Sequence, residues 1–281
     1  MERRNLGFTI FIYISAAILA ALIIAPMAWL FIMSISPTSD LTSKPLHWLP
    51  TEIDPSRYQL LITVLENTPG QAFLGAMRNS VLVAGLATVL AVTIAIPAAW
   101  AVSRTSKIEW SLYAVVSTYM LPPVALCVPF YGGLAYFDLL NSKIGLTCIY
   151  LSILAPFTTW ILKSSFDSIP RDYENAAMID GARLDQMFRI IFLPLAAPAI
   201  ATTTLFAFLM AWDEFFYALL FTSDLRAKTL TVAIADLAGG RIADYGLIAT
   251  AGVLAALPPV LIGLFLQRAI VSGLTSGGLK G

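Results

Sequence analysis

Two acids, Asp213 and Glu214, stand side by side inside a long apolar run, 195–221. An acid at the centre of a bilayer costs roughly 2.5–3.5 kcal/mol. It is kept there when it faces protein, water or a partner. On a helix, neighbours point about 100° apart, so at most one of the two faces a given cavity. Trp212 and Phe216 flank the pair. Carboxylates accept hydrogen bonds from hydroxyls, and aromatic rings cover the apolar face of a polar solute. Trp212, Asp213, Glu214 and Phe216 are therefore candidates for lining a solute path. A tie across a protein interface, or a helix end reaching the headgroups, would explain the acids equally well.

The second group of interest is polar. Residues 170–194 form a charge-dense stretch between two oily runs. Pro170 suits a first helical turn, and Asp172 and Glu174 suit the positive end of a helix dipole. Tyr173, Ala176, Ala177 and Asp180 recur at i, i+3, i+4 and i+7, which makes one smooth face. Gly181 then breaks or turns the helix. Leu184, Phe188 and Ile191 restart an apolar stripe, with Met187 beside it. Leu193-Pro194 is expected to close the element at the membrane. The pattern predicts two short helices joined at a glycine, shaped to dock into a groove on another protein. A helix lying on lipid would be rich in Lys and Arg. Here Asp172, Glu174, Asp180 and Asp185 stand among the basic residues.

Other chemistry is missing. No Gly-x-x-x-x-Gly-Lys-Ser/Thr occurs, so this chain builds no phosphate loop of its own. No Gly-x-Ser-x-Gly and no helical His pair occurs, so neither hydrolase nor metalloprotease chemistry has support. His47 is the single histidine, and Cys127 and Cys148 lie in apolar runs as small hydrophobes. No metal centre is expected from them. With 17 basic and 17 acidic residues there is no net charge. A nucleic-acid footprint would need a basic patch.

The elements that must position these residues are membrane helices. The 281 residues are 58% hydrophobic and 12% charged, with mean hydropathy +0.81. Soluble proteins carry roughly 25% charged residues. A span needs about 20 apolar residues. Six runs qualify: 8–35, 81–102, 110–137, 144–166, 195–221 and 245–266. The first has 28 uncharged residues, far beyond a signal-peptide core of roughly 7–15. It reads as a retained helix with Pro26 as a kink point. Proline recurs at Pro97, Pro122, Pro123, Pro129, Pro156, Pro198, Pro258 and Pro259. The Pro122-Pro123 pair is the expected kink beside a path, although proline is common in membrane helices generally.

Lys and Arg set the orientation. With the N-terminus inside, the inner segments hold Arg3, Arg4, Arg104, Lys107, Lys163, Arg171, Arg183, Arg189, Arg268 and Lys280. The outer ones hold Lys44, Arg57, Arg78, Lys143, Arg226, Lys228 and Arg241 in longer loops. Both termini and the 170–194 stretch are then cytoplasmic. The loop 36–80 reads as an ordered external loop with short helical pieces, inside a single permease domain of 1–281.

The spacing in 170–194 also carries a resemblance. Ala176-Ala177, then three residues and Gly181, then nine residues and Ile191-x-Leu193-Pro194, are similar to the EAA motif. That motif marks the permease subunits of binding-protein-dependent ABC importers. Glu174–Ala182 resembles the carbohydrate branch, of maltose-importer type. Asn175 stands where the family has Glu. Asn79-Ser80, Ala101–Arg104, Met120–Pro123, Ala211–Phe215 and the tail from Gly273 to Gly281 resemble other family segments.

The resemblance implies an all-α membrane protein of six spans, with a cytoplasmic coupling helix between the fourth and fifth. It implies a second permease forming a heterodimer and two ATPase subunits that bind ATP and Mg. It implies an external sugar-binding protein and a sugar substrate of di- or oligosaccharide class. Coupling would fall to Tyr173, Glu174, Asn175, Ala176, Ala177, Asp180, Gly181, Ala182, Phe188, Ile191, Leu193 and Pro194. The tail, about 268–281, would touch the ATPases. The chain would be a transporter subunit of the cell membrane with no catalysis of its own. Similar permeases handle glycerol phosphate derivatives. An ion-coupled transporter would need ionisable residues on several spans, and here only the fifth run has them.

Overall fold

A computed structural model describes residues 6–66, 68–239 and 244–277. Among them every regular element is helical, as expected where only closed backbone hydrogen bonding survives in lipid. In chain order the helices are α1 (Leu6–Ile35), α2 (Thr38–Thr42), α3 (Ser56–Ile62) and α4 (Pro69–Arg104). A 3-10 turn, Ser106–Ile108, leads into α5 (Glu109–Val116), and a second, Ser117–Met120, ends it. Next come α6 (Pro123–Tyr136), α7 (Lys143–Asp167), α8 (Asp172–Ile179) and α9 (Leu184–Gln186). A π-helical segment, Met187–Phe192, joins α9 to α10 (Leu193–Trp212). Then follow α11 (Phe216–Phe221), α12 (Leu230–Ala238) and α13 (Tyr245–Gly277).

Five stretches are long and apolar enough to span: Gly7–Ile35, Pro69–Arg104, Lys143–Asp167, Leu184–Trp212 and Tyr245–Ala269. The run 110–137, expected as one span, is not a single helix. Ser106–Met120 and Pro123–Tyr136 meet at a bend of 101°, so the pair counts as a sixth span only if taken together. The cause is Pro122-Pro123. Leu121 and Pro122 adopt extended backbone, and Pro123 opens the next helix. Two successive prolines remove two N–H donors, and each restricts the residue before it. The expected kink is thus an elbow. Single prolines at 97, 156 and 198 stay inside continuous helices.

Other boundaries move as well. Helix α4 begins at Pro69, not near residue 81, which shortens the first long loop. Helix α13 runs on to Gly277, where a free tail was expected from 268. Arg3, Arg4, Arg241 and residues 278–281 lie outside the described residues.

The chain divides into two compact units. One is Met1–Leu74 with Ala233–Ala256. Its polar centre is Arg57, 5% exposed. The guanidinium donates to the Ser36 carbonyl at 2.6 Å, to Thr38 Oγ1 at 2.7 Å and to Asp244 at 3.2 Å. A Cβ on Gly246 would sit 2.3 Å from Arg57 Cζ, so a larger residue there would push the guanidinium off its partners. Thr250 Oγ1 donates to the Ser34 carbonyl at 3.2 Å, and Ser34 pairs with the Tyr58 hydroxyl at 2.7 Å. Arg57→Met strands three acceptors and is expected to lower stability by about 3 kcal/mol. Thermal unfolding in detergent measures it. An unchanged midpoint would remove Arg57 as the centre of this unit.

In the same unit Asp40 is buried. It accepts from the Thr51 N–H at 2.8 Å, the Thr51 hydroxyl at 2.9 Å and His47 Nδ1 at 3.2 Å. The Thr51 backbone bond, foremost, holds the carboxyl below its usual range, assisted by the Thr51 hydroxyl and His47. A depressed carboxylate pKa contributes stability above the unfolded value of about 3.9 and loses it as pH falls through the folded value. Protection of the Thr51 amide against hydrogen exchange should therefore hold at neutral pH and fade only below about pH 4. Asp40→Asn should remove that acid step. An Asp40→Asn chain that keeps the parent's acid step would show that another group carries it.

The second unit is Gly75–Val232 with Leu257–Gly281. Helix α4 buries a file of small residues there: Ala84, Ala87, Ala91, Ala95 and Ala99. Small side chains let backbones approach closely where lipid supplies no hydrophobic drive. Ala95 and Ala99 pack with Leu162 and Phe166 of α7, Phe192 and Ala196. Asn79 Nδ2 donates to the Leu225 and Lys228 carbonyls, both at 3.0 Å. Ser80 Oγ accepts from Leu230 N at 2.8 Å, and Lys143 Nζ donates to the Arg226 carbonyl at 3.2 Å. Asn141, at φ 50°, accepts from Ser223 N through its side chain at 3.0 Å. Through these contacts Asn79 and Ser80 pin the turn between α11 and α12.

Candidate functional site

Helix α8 carries its acids in the first turn, as a helix dipole prefers. It ends at Gly181, whose φ is +78°. The Gly181 N–H reaches the Met178 carbonyl at 3.1 Å, and the Ala182 N–H reaches Ala177 at 2.9 Å. That pair of bonds is a Schellman closure, and its left-handed residue is normally glycine. The expected glycine joint is present. Arg183 N then donates to Gln186 Oε1 at 2.9 Å, which starts the next helix.

That helix is not short. It runs from Leu184 through the π segment into α10 as one stretch to Trp212, so Leu193-Pro194 does not close the element. Pro194 has no N–H to offer the Ile190 carbonyl. The wider π turn of Met187–Phe192 absorbs that gap without a break.

The smooth face divides. Glu174 and Ala177 turn inward, and Tyr173, Asn175, Ala176, Asp180 and Gly181 are exposed. Ala182, Phe188, Ile191 and Leu193 are half-buried, and Pro194 is exposed. Leu184 stays exposed, so the predicted stripe is partly open. Beside the joint is an open cleft of about 390 Å³, lined by Asp180, Gly181, Ala182, Gln186, Ile190 and Ile191.

What holds α8 in place is not legible in the helical pattern. Arg104, the last residue of α4, donates from Nε to Glu174 Oε1 at 2.6 Å. Its Nη1 reaches the Phe166 carbonyl at 3.2 Å, and Nη2 reaches Ile169 at 3.3 Å. The guanidinium also lies 5.3 Å from the Phe192 ring centre. Trp100 packs on Phe188 at 5.0 Å. In the sequence, Arg104 stands out only as part of Ala101–Arg104 and as an inner positive charge.

The second group sits at a break. The run 195–221 is two helices, α10 and α11, separated at 213–215. Glu214 explains it: its carboxylate accepts from Tyr217 N at 2.9 Å and Ala218 N at 3.1 Å. It caps α11 as Asp or Ser would. Its freed carbonyl takes the Thr231 hydroxyl at 2.9 Å and Tyr150 OH at 3.4 Å. Trp212 is buried and stacks on Phe208 at 5.5 Å. Phe216 is half-buried against Tyr217. Asp213 is exposed, and its carboxylate has no partner among the described residues. Of the two acids, Glu214 is taken up by backbone N–H groups and Asp213 presents the free carboxylate.

Tyr217 of α11 reaches the elbow, where its hydroxyl donates to the Pro123 carbonyl at 3.3 Å and its ring meets Phe130 edge-on at 5.6 Å. A cavity of about 380 Å³ lies there, lined by Tyr119, Pro123, Phe130, Ser152 and Tyr217 among others. Among the described residues, no three His, Cys, Asp or Glu side chains gather as metal ligands.

Five or six apolar spans, with an exposed polar helix and a glycine joint set between two of them, define a multi-span membrane protein. The chain belongs to the family of inner membrane components of binding-protein-dependent transport systems, whose pattern it matches over residues 73–276. It is 37% identical over 274 residues to the sulfoquinovosyl glycerol transport system permease protein SmoH of Agrobacterium fabrum. That match covers 96% of this chain and 93% of the relative. It is 34% identical over 279 residues to the trehalose/maltose transport system permease protein MalG of Thermococcus litoralis, covering 97% of each. A bacterial ABC transporter that imports alginate has a chain with the same fold, at TM-score 0.74 and 21% identity. That match covers 95% of this chain and 98% of the other.

Proposed function

We propose that this chain is the permease subunit of an ATP-driven importer for a di- or oligosaccharide or a related glycoside. It pairs with a second permease, and two ATPase subunits bind ATP and Mg. An external sugar-binding protein delivers the solute. The chain is a multi-pass protein of the cell membrane, with both termini and the 170–194 element on the cytoplasmic side. The observation that carries this reading is the exposed joint at Gly181 with its adjoining cleft. A short helix held at a fixed angle beside a cleft suits a partner that must push it. Movement of that element would tilt the bundle and alternate access to the solute. Asp213 offers a free carboxylate for solute hydroxyls, and the sugar permeases among the relatives favour that class of substrate.

The test is assembly and turnover. The chain is expressed with its companion subunits and purified through a tag on this chain alone. An ATPase subunit should come with it. ATP hydrolysis should rise on adding the binding protein with one of trehalose, maltose or sulfoquinovosyl glycerol. Purification without any ATPase would overturn the reading.

A further inference from the structure

We propose that Arg104 is the positioning residue that locks the 170–194 element to the bundle, so that a push on α8 reaches α4 and α7 together. This rests on the transport reading above. The guanidinium uses all three nitrogens: one on Glu174 of α8, one on the Phe166 carbonyl that ends α7, and one on Ile169 in the connector. Its face lies near the ring of Phe192, in the π segment that continues into α10. One planar group therefore ties together α4, α7, the connector, α8 and the π segment. The Arg104 and Glu174 side chains are 13% and 11% exposed, so solvent screens the pair little.

The ties around it point the same way. Arg171 Nη2 reaches the Ser103 carbonyl at 3.4 Å, a second strap from the connector to α4. Lys163 of α7 bridges Glu109 of α5 at 2.8 Å and Asp167 at 2.9 Å. Without Arg104, Glu174 would be a buried acid with no counter-charge, and the Phe166 and Ile169 carbonyls would each lose a charged donor. Lysine could keep the charge but has no fork to span three acceptors. Glu174 thus faces inward to hold the helix, and the exposed Tyr173, Asn175 and Ala176 are left for the partner.

The test reads the position of α8 directly. Spin labels at K107C and I179C, in the C127S/C148S background, report the distance from the α4 end to the α8 tip in the full chain in nanodiscs. The parent should give one narrow distribution. R104A should widen it about twofold or more, as expected for an element released into local motion. R104K should fall between. R104E should be broad, and R104E/E174R should narrow it again. A residue that merely stabilises the fold would lower the yield of monodisperse protein and leave this distribution unchanged. An R104A distribution superimposable on the parent's overturns the proposal. Copurification of the ATPase with the unlabelled parent is scored separately. Its failure would sink the transport reading, and the distance result would still decide whether Arg104 positions α8.

Discussion

Gly181→Val is expected to lower coupled transport about tenfold or more while the protein still reaches the membrane folded. The backbone at this position has φ +78°, and no atom lies within 4 Å of where a Cβ would point. Space is therefore not the issue, and strain is. A left-handed residue with a Cβ costs about 1–2 kcal/mol, and β-branching adds to it. The two closing bonds, from Gly181 N and Ala182 N, contribute about 0.5–1.5 kcal/mol each, so a strain of that size competes with them directly. The turn should open and swing the end of α8, moving the exposed Ala176 and Asp180 relative to the cleft beneath. Loss of about 1.4 kcal/mol at a docking contact is a tenfold loss of affinity. Copurification of the ATPase should fall about tenfold or more, and uptake with it. Gly181→Asn is the control, because asparagine visits this conformation and caps helices this way. It should retain most of the activity. Equal copurification for Gly181→Val and the parent would show that the joint angle does not matter.

The joint is visible in the sequence because glycine reports a backbone requirement at its own position. The inward turn of Glu174 is not. Which face of α8 packs depends on Arg104, seventy positions away, and helical spacing alone assigns Tyr173, Ala177 and Asp180 to a single face. Apolar length behaves similarly. It locates the spans, because lipid thickness sets one length for all of them. It does not distinguish a continuous helix from a broken one. The elbow at Pro122-Pro123 needs two adjacent prolines, where Pro156 alone leaves α7 intact. The break at 213–215 has a signal of its own: an acid three and four residues ahead of the N–H groups that it caps. That pattern is eclipsed by the cost of placing acids in lipid, which makes a solute path the more attractive explanation.

The pair of acids should now separate by experiment. Glu214 holds the start of α11 through two backbone N–H groups, and α11 carries Tyr217 to the elbow at Pro123 and Phe130. Glu214→Ala leaves both donors without an acceptor in a half-buried place. Loss of a helix cap costs about 1–2 kcal/mol, and an unsatisfied buried donor costs a similar amount. A loss of about 2 kcal/mol in stability is expected, with uptake falling because Tyr217 no longer meets the elbow. Glu214→Gln keeps one amide oxygen and should lose about half as much. Asp213→Ala removes an exposed carboxylate with no partner, so its stability should stay within about 0.5 kcal/mol of the parent. If Asp213 meets the solute, its variant should still lose uptake, through a raised KM for the transported sugar. Thermal unfolding and uptake measured on the same three variants separate the roles. A Glu214→Ala protein that melts with the parent would mean that the cap does not hold α11. An Asp213→Ala protein with parental uptake would take the solute path away from this acid and leave the break at 213–215 as a purely structural feature.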